Sequence, residues 1–200
     1  MKLLSARSLA LATALAVALA AAPSRADDRN GYVVLKGGGY FPTATNAWEA
    51  ATNPTSFTFQ TGGDVELGVG GAFGLLGVQA DVGYLWSSYS NVQVTGVPVT
   101  AVLQLRIPIF FVVPYLEAGV GIFVSTAKNT STSENSTKTV FMAPLGGGVD
   151  FLLGPILLGV EARYLYISSA NYDISSSVST NTAKLGFSGV SATLNVGYRF

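Results

Sequence analysis

The side chains in this sequence best suited to chemistry are six carboxyls, Asp64, Glu66, Asp81, Glu117, Asp150 and Glu161, and four bases, Lys36, Arg106, Arg163 and Arg199. Paired acids such as Asp64 and Glu66 have the types needed for general acid and base work. Two positions apart on an extended strand they also share one face, which suits ion pairing with Lys or Arg equally well. The sequence has no histidine and no cysteine. That removes Ser-His-Asp chemistry, imidazole and thiolate metal ligands, cysteine nucleophiles, disulfides and a lipid-attachment cysteine. Gly68-Val69-Gly70-Gly71-Ala72 and Gly146-Gly147-Gly148 are glycine-rich, but neither is followed by the lysine and helix of a phosphate loop. No catalytic, cofactor-binding or metal-binding residue is therefore assigned, and no cofactor is expected. The ten charges read instead as an internal network.

The elements that must position them alternate apolar with polar or glycine residues at period two, which is strand periodicity. Eight such segments are expected, at roughly 31–41, 58–70, 76–86, 96–107, 112–124, 139–151, 156–167 and 186–200. In the last, Val190, Ala192, Leu194, Val196, Tyr198 and Phe200 oppose Gly189, Ser191, Thr193, Asn195, Gly197 and Arg199. In the third, Val78, Ala80, Val82, Tyr84 and Trp86 oppose Gly77, Gln79, Asp81 and Gly83. In the seventh, Leu158, Val160, Ala162, Tyr164 and Tyr166 oppose Gly159, Glu161, Arg163 and Leu165. All ten charges fall on the polar side of their strands. A soluble sandwich also has one apolar face, but its solvated face carries many Lys, Glu and Thr, whereas this polar face is glycine-rich with isolated charges. A cramped barrel interior fits that pattern, and with it an apolar face turned to lipid, where an Arg or Lys near the midplane would cost roughly 2–4 kcal/mol.

Two sets of aromatics are expected to form girdles. Phe41, Phe59, Tyr84, Trp86, Tyr164 and Tyr166 lie toward the long connections, and Tyr32, Phe73, Phe110, Phe111, Phe151, Tyr198 and Phe200 toward the short ones. Long connections are expected at about 42–57, 87–95, 125–138 and 168–185, and short turns near 71–75, 108–111 and 152–155. Long and short connections thus gather at opposite ends. That asymmetry belongs to outer-membrane barrels, with short periplasmic turns and both termini periplasmic. Pro98, Pro114 and Pro144 fall inside expected strands, where each removes a ladder donor, and are read as bulges or near-end positions.

Composition agrees with a membrane protein, since 49% of residues are hydrophobic and 11% charged, against roughly 25% charged in an ordinary soluble domain. Lys2 and Arg7 precede an apolar run from Leu9 to Ala22, and Ser24-Arg25-Ala26 offers small residues at cleavage positions. The run is about fifteen residues, short of the ~20 that span a bilayer as a helix. Residues 1–26 are accordingly read as a cleaved signal peptide and 27–200 as the mature barrel domain. Cleavage removes Lys2, Arg7 and Arg25, leaving eight basic residues against eleven acidic ones, which argues against nucleic acid as a partner. Asn129-Thr130-Ser131 and Asn135-Ser136-Thr137 match a glycosylation pattern, a use not expected in bacteria.

Four stretches carry a resemblance: Gly31-Tyr32-Val33-Val34-Leu35-Lys36-Gly37-Gly38-Gly39-Tyr40-Phe41-Pro42, Pro114-Tyr115-Leu116-Glu117-Ala118-Gly119-Val120-Gly121, Gly146-Gly147-Gly148-Val149-Asp150-Phe151 and Val196-Gly197-Tyr198-Arg199-Phe200. They resemble the small outer-membrane β-barrels that include the OmpA and OmpX transmembrane domains and, more distantly, OmpW. The resemblance implies an all-β, eight-stranded antiparallel up-and-down transmembrane β-barrel in the bacterial outer membrane. It implies outer-membrane lipid and lipopolysaccharide as surroundings, and a final strand read by the insertion machinery through Tyr198 and Phe200. The expected role is structural or surface-interacting and non-enzymatic, with four external loops, partners unspecified, on a polar, plugged barrel. The alternative is a narrow conduit for small or hydrophobic solutes, using space left by Gly68, Gly83, Gly119, Gly121, Gly146, Gly148 and Gly159. A lipid-modifying enzyme is a third reading, weakened by the missing histidine.

Overall fold

Period-two alternation becomes, in the computed structural model, eight long antiparallel strands closed into a barrel. The structure describes residues 30–44, 46–48, 56–89, 92–129, 135–173 and 182–200. The expected signal segment 1–26, the middle of the low-complexity stretch 128–137 (130–134) and all of 175–180 lie outside them. The barrel strands are β1 (Gly31–Pro42), β4 (Gly62–Phe73), β5 (Leu76–Tyr89), β6 (Val92–Arg106), β7 (Val112–Asn129), β8 (Asn135–Leu153), β9 (Ile156–Ile167) and β12 (Gly189–Arg199). Each pairs with its sequence neighbour in the barrel, and β1 closes the ring by pairing with both β12 and β4. Four short strands, β2 (Asn46–Trp48), β3 (Ser56–Phe57), β10 (Ala170–Asp173) and β11 (Thr182–Leu185), form a separate sheet in the order β10-β11-β2-β3.

The turns that join the strands at one end are tight for a local reason. Gly74 and Gly154, each at φ 64°, open two-residue hairpins between Phe73 and Leu76 and between Leu153 and Ile156. A positive φ at the first turn residue matches the twist of the flanking strands and favours glycine. The third turn puts Phe110 at φ 55°, a cost for a residue with a Cβ, and leaves its ring 95% exposed at the barrel edge.

The second and third long connections are shorter than expected, because the strands run on to Tyr89 and Val92 and to Asn129 and Asn135. Their Ser and Thr content looks loop-like. Beyond the hydrocarbon, however, outward positions need not be apolar, and the inward ones (Val94, Ser125 and Ala127) are buried. The eighteen and nineteen residues of β7 and β8 exceed the ~9–11 needed to cross a bilayer, so this hairpin projects past it.

Side chains alternate without a break along β9, exposed at Ile156, Leu158, Val160, Ala162, Tyr164 and Tyr166 and buried between them. The outer face is apolar around the ring, as at Leu103, Leu116 and Leu194. Phe41, Tyr84, Trp86, Tyr164 and Tyr166 are exposed toward the long connections, and Phe73, Phe110, Phe111, Phe151 and Tyr198 toward the turns. Two expected girdle members are corrected: Phe59 and Tyr32 point inward and are buried. Tyr32 shares the parity of Lys36 on β1, and Phe59 lies outside the ladder altogether. Phe200 exchanges backbone hydrogen bonds with Gly31 in both directions (3.1 and 2.9 Å) and seals the seam between the chain ends.

Two of the three prolines are also corrected, while Pro114 is near a strand end as expected. Pro98 and Pro144 each interrupt one ladder, leaving gaps between the Val82–Val99 and Leu85–Gly96 pairs and between Ala118–Leu145 and Gly121–Met142. The register is the same on both sides of each gap, so neither is a register-shifting bulge. Pro114 is the third residue of β7 and keeps its carbonyl in use, accepting from the Ile107 amide at 2.9 Å.

Val160 stands outward near the middle of β9. Val160→Arg is expected to lower unfolding free energy by about 2–4 kcal/mol in urea titrations of vesicle-reconstituted protein, whereas Thr139→Arg, beyond the aromatic girdle, costs under about 1 kcal/mol.

Candidate functional site

Because inward positions recur every second residue on each strand, the charged side chains of seven strands meet in the barrel axis, and β12 adds Ser191, Thr193 and Asn195. Nine of the ten expected residues, Lys36, Asp64, Glu66, Asp81, Arg106, Glu117, Asp150, Glu161 and Arg163, are buried there. Arg163 on β9 is the hub. Its guanidinium lies 2.7 Å from Glu66, 2.8 Å from Glu161, 3.7 Å from Glu117 and 3.8 Å from Asp64. These are close ionic contacts rather than aligned hydrogen bonds. Lys36 on β1 donates to both oxygens of Glu161 at 3.0 and 2.9 Å and lies 3.7 Å from Asp81.

A second centre lies closer to the turns. Arg106 donates to Asp150 at 2.6 Å and to Gln104 at 2.7 Å, and its guanidinium sits 5.4 and 5.3 Å from the ring centres of Tyr32 and Tyr115. The two centres are joined by neutral polar groups. Gln104 donates to Glu117 at 3.0 Å, and Tyr115 donates to Glu161 at 2.7 Å. Gln79 donates to Asp81 at 2.6 Å, Tyr32 to Gln104 at 3.0 Å and Ser191 to Asp64 at 2.5 Å. Reading charges alone missed these neutral members. Their inward parity, the same as that of the charges, was the available signal.

The tenth residue, Arg199, is half-buried at the turn end of the barrel. It lines a cavity of about 260 Å³ at the turn end, together with Asn30, Tyr32, Arg106, Pro108 and Leu157.

Several inner glycines make room for this network. A Cβ at Gly68 would press on Asp81, at Gly83 on Glu66, at Gly148 on the Tyr115 hydroxyl and at Gly159 on Asp150. The space that glycine leaves on the inner face at these positions is filled by neighbouring side chains. Between Lys36, Gln104, Arg106, Tyr115, Asp150 and Glu161 the remaining gap is about 10 Å³, close to the volume of one water probe.

The layer is unbalanced, with six buried carboxyls around three buried bases. Asp64 Oδ1, Asp81 Oδ2 and Glu117 Oε1 accept no hydrogen bond from any described group. Among the described residues no cluster of acidic side chains has the geometry to hold a metal ion.

Above the charges, toward the long connections, the interior changes character. Tyr40, Leu85, Val94, Phe123, Met142, Leu165 and Ile167 form an apolar core, entered by Phe59 and Phe187 from outside the barrel ladders. Sequence reading assigned the whole interior a polar character. Leu165, Leu85 and Phe123, each on the polar side of its strand, were visible signs to the contrary.

A closed antiparallel barrel of eight strands, apolar outside and ion-paired inside, is the architecture of a β-barrel membrane protein. The chain belongs to the family of outer membrane protein beta-barrel domains, whose model matches residues 9–200. Among solved structures it is similar to Neisserial surface protein A, at 16% identity and a TM-score of 0.61, with 85% of this chain and 97% of that one covered. The N-terminal β-barrel domain of Pseudomonas aeruginosa OprF gives 15% identity and a TM-score of 0.49, covering 86% and 98%. The outer membrane enzyme PagL gives 17% and 0.45, covering 84% and 99%. At such identities the first likeness speaks to fold alone. No curated protein matches the chain.

The charge imbalance makes removal of a base and removal of an acid unequal. Arg163→Met leaves four acids without their shared partner and is expected to cost about 3–5 kcal/mol of stability in micelles. Asp81→Asn keeps an acceptor for Gln79 and is expected to cost under about 1 kcal/mol. Urea midpoints of the two variants, measured side by side, check the asymmetry.

Proposed function

We propose that this outer-membrane barrel is a non-catalytic anchor, with a sealed interior, that presents its long connections at the cell surface. The observation that carries the reading is the packed ion-pair layer, in which all eight strands take part and the enclosed gap is about the size of one water. A barrel of eight strands is just wide enough for its own side chains to fill. The inner glycines support sealing over conduction, since at Gly68, Gly83, Gly148 and Gly159 the free volume is taken by Asp81, Glu66, Tyr115 and Asp150. The apolar core above the charges adds a second filled layer.

The non-catalytic part rests on chemistry. The chain has no histidine or cysteine, and its six inner carboxyls are held by Lys36, Arg106, Arg163 and neutral donors, away from any surface a lipid headgroup reaches. In this reading residues 1–26 are removed on export, and the mature chain begins at Asp27. The glycine-containing turns face the periplasm with both termini, and the ends of β7 and β8 stand among lipopolysaccharide headgroups. The last strand, with Tyr198 turned to lipid and Phe200 locked to Gly31, serves as the signal for insertion.

The test is single-channel conductance of the refolded mature protein in planar bilayers, with heat-modified gel mobility to establish that the barrel has formed. Folded protein is expected to stay silent over a wide voltage range. Discrete, reproducible openings from folded protein would replace this reading with a solute conduit.

A further inference from the structure

Between Arg106 and Tyr115 the chain runs Ile107-Pro108-Ile109-Phe110-Phe111-Val112-Val113-Pro114, without one polar side chain. These residues form the tip of the β6–β7 hairpin. Ile109 and Val112 bond each other in both directions, at 2.8 and 3.0 Å, so Phe110 and Phe111 alone make the bend. Phe110 stands where the other two turns place Gly74 and Gly154, at a similar positive φ. Ile109, Phe110 and Phe111 are 53%, 95% and 57% exposed.

Such a tip can meet water, another protein or lipid. The outward residues of β6 from Val97 through Leu105, and then Ile107, are all apolar. In strands tilted near 40° each residue adds about 2.5 Å of height, so this row by itself fills the ~25 Å apolar band of a barrel. Ile109 and the two rings continue the row past that band, with no polar residue between. A protein partner is met by an apolar centre within a polar rim. No side chain of residues 107–114 supplies such a rim, and a lipid surface needs none. The backbone is equally suited to lipid. Pro108 and Pro114 have no N–H, the Ile107 amide donates to the Pro114 carbonyl at 2.9 Å, and the Phe111 carbonyl accepts from the Leu152 amide at 2.7 Å. With the Ile109 and Val112 bonds, most of the tip's peptide groups are satisfied without water, as hydrocarbon demands.

We propose that this tip is a membrane anchor, with Phe110 and Phe111 seated among the acyl chains of the leaflet at the turn end. It differs from a girdle on the wall, because here the turn itself stays in lipid and on this flank the barrel ends inside the bilayer. Small local changes of bilayer thickness are cheap. Leaving two aromatic rings in water forfeits their transfer to an apolar medium. Lipid therefore follows the longer apolar stretch. The tip takes acyl chains of any headgroup class, since no charged or hydrogen-bonding side chain stands there to select one. The anchor holds whichever side of the membrane the turns face and whether or not the lumen conducts.

The chain has no cysteine, so a spin label can be set at one chosen site. Phe110→Cys, labelled and refolded into phosphatidylcholine vesicles, is compared with Val160→Cys on the lipid-facing wall and Thr139→Cys beyond the aromatic girdle. Power saturation with oxygen and with a water-soluble nickel chelate reads the depth of each label. The label at position 110 is expected to favour oxygen, as at 160, and to lie about 5–10 Å below the headgroups. Nickel collisions as frequent as at 139 would place the tip in water and overturn the anchor. Low access to both reagents would overturn it in favour of a protein partner, with dipolar broadening marking a second copy. Phe111→Cys, where no positive φ is required, gives the same reading should the first variant not fold.

Discussion

Closure of the backbone ladder is the constraint on which everything else in this molecule rests. Hydrocarbon offers no partner to an amide or carbonyl, so a chain crossing it as strands must pair the last strand with the first. Here that seam is β1 against β12, held over eleven consecutive residue pairs and finished by the reciprocal bonds between Gly31 and Phe200. Once the ring closes, parity is fixed for every residue in it. The outward set meets lipid and must be apolar, and the inward set must be satisfied inside a space only a few side chains across.

The interior charge layer follows from that enclosure. Buried ions cost several kcal/mol each to desolvate, and attraction offsets the cost only when partners surround them. Arg163 meets this requirement with four carboxyls within 4 Å, and Lys36 shares Glu161 with it. Arg106 meets it differently, with one carboxylate, one amide and two aromatic faces. Because members come from every strand, the layer ties together elements far apart in sequence, such as Asp64 and Ser191. Its contribution lies in holding one arrangement of the strands as much as in net stability.

Past the girdle of Trp86, Tyr164 and Tyr166 the physical problem reverses. The outer face meets water and carries Gln93, Thr126, Lys128 and Thr139, while the inside becomes apolar, as in a soluble β-protein. One cylinder therefore contains two kinds of core.

Alternation along the chain was enough, by itself, to determine the eight strands, their antiparallel up-and-down order, the apolar outer face and the inward parity of all ten charges, because period two is a local property of an extended backbone. The breaks between alternating segments likewise marked the short turns, where Gly74 and Gly154 meet a local demand for positive φ. Tertiary structure alone decided which charges meet. Arg163 reaches Glu66 and Glu117 across the lumen, and no spacing in the sequence encodes a contact between strands that are not neighbours. It also decided that Phe59 and Tyr32 are interior, that the strands outrun the membrane at β7 and β8, and that the upper interior is apolar. Each of these depends on where the closed cylinder places a residue relative to lipid and water, which the order of residues does not record.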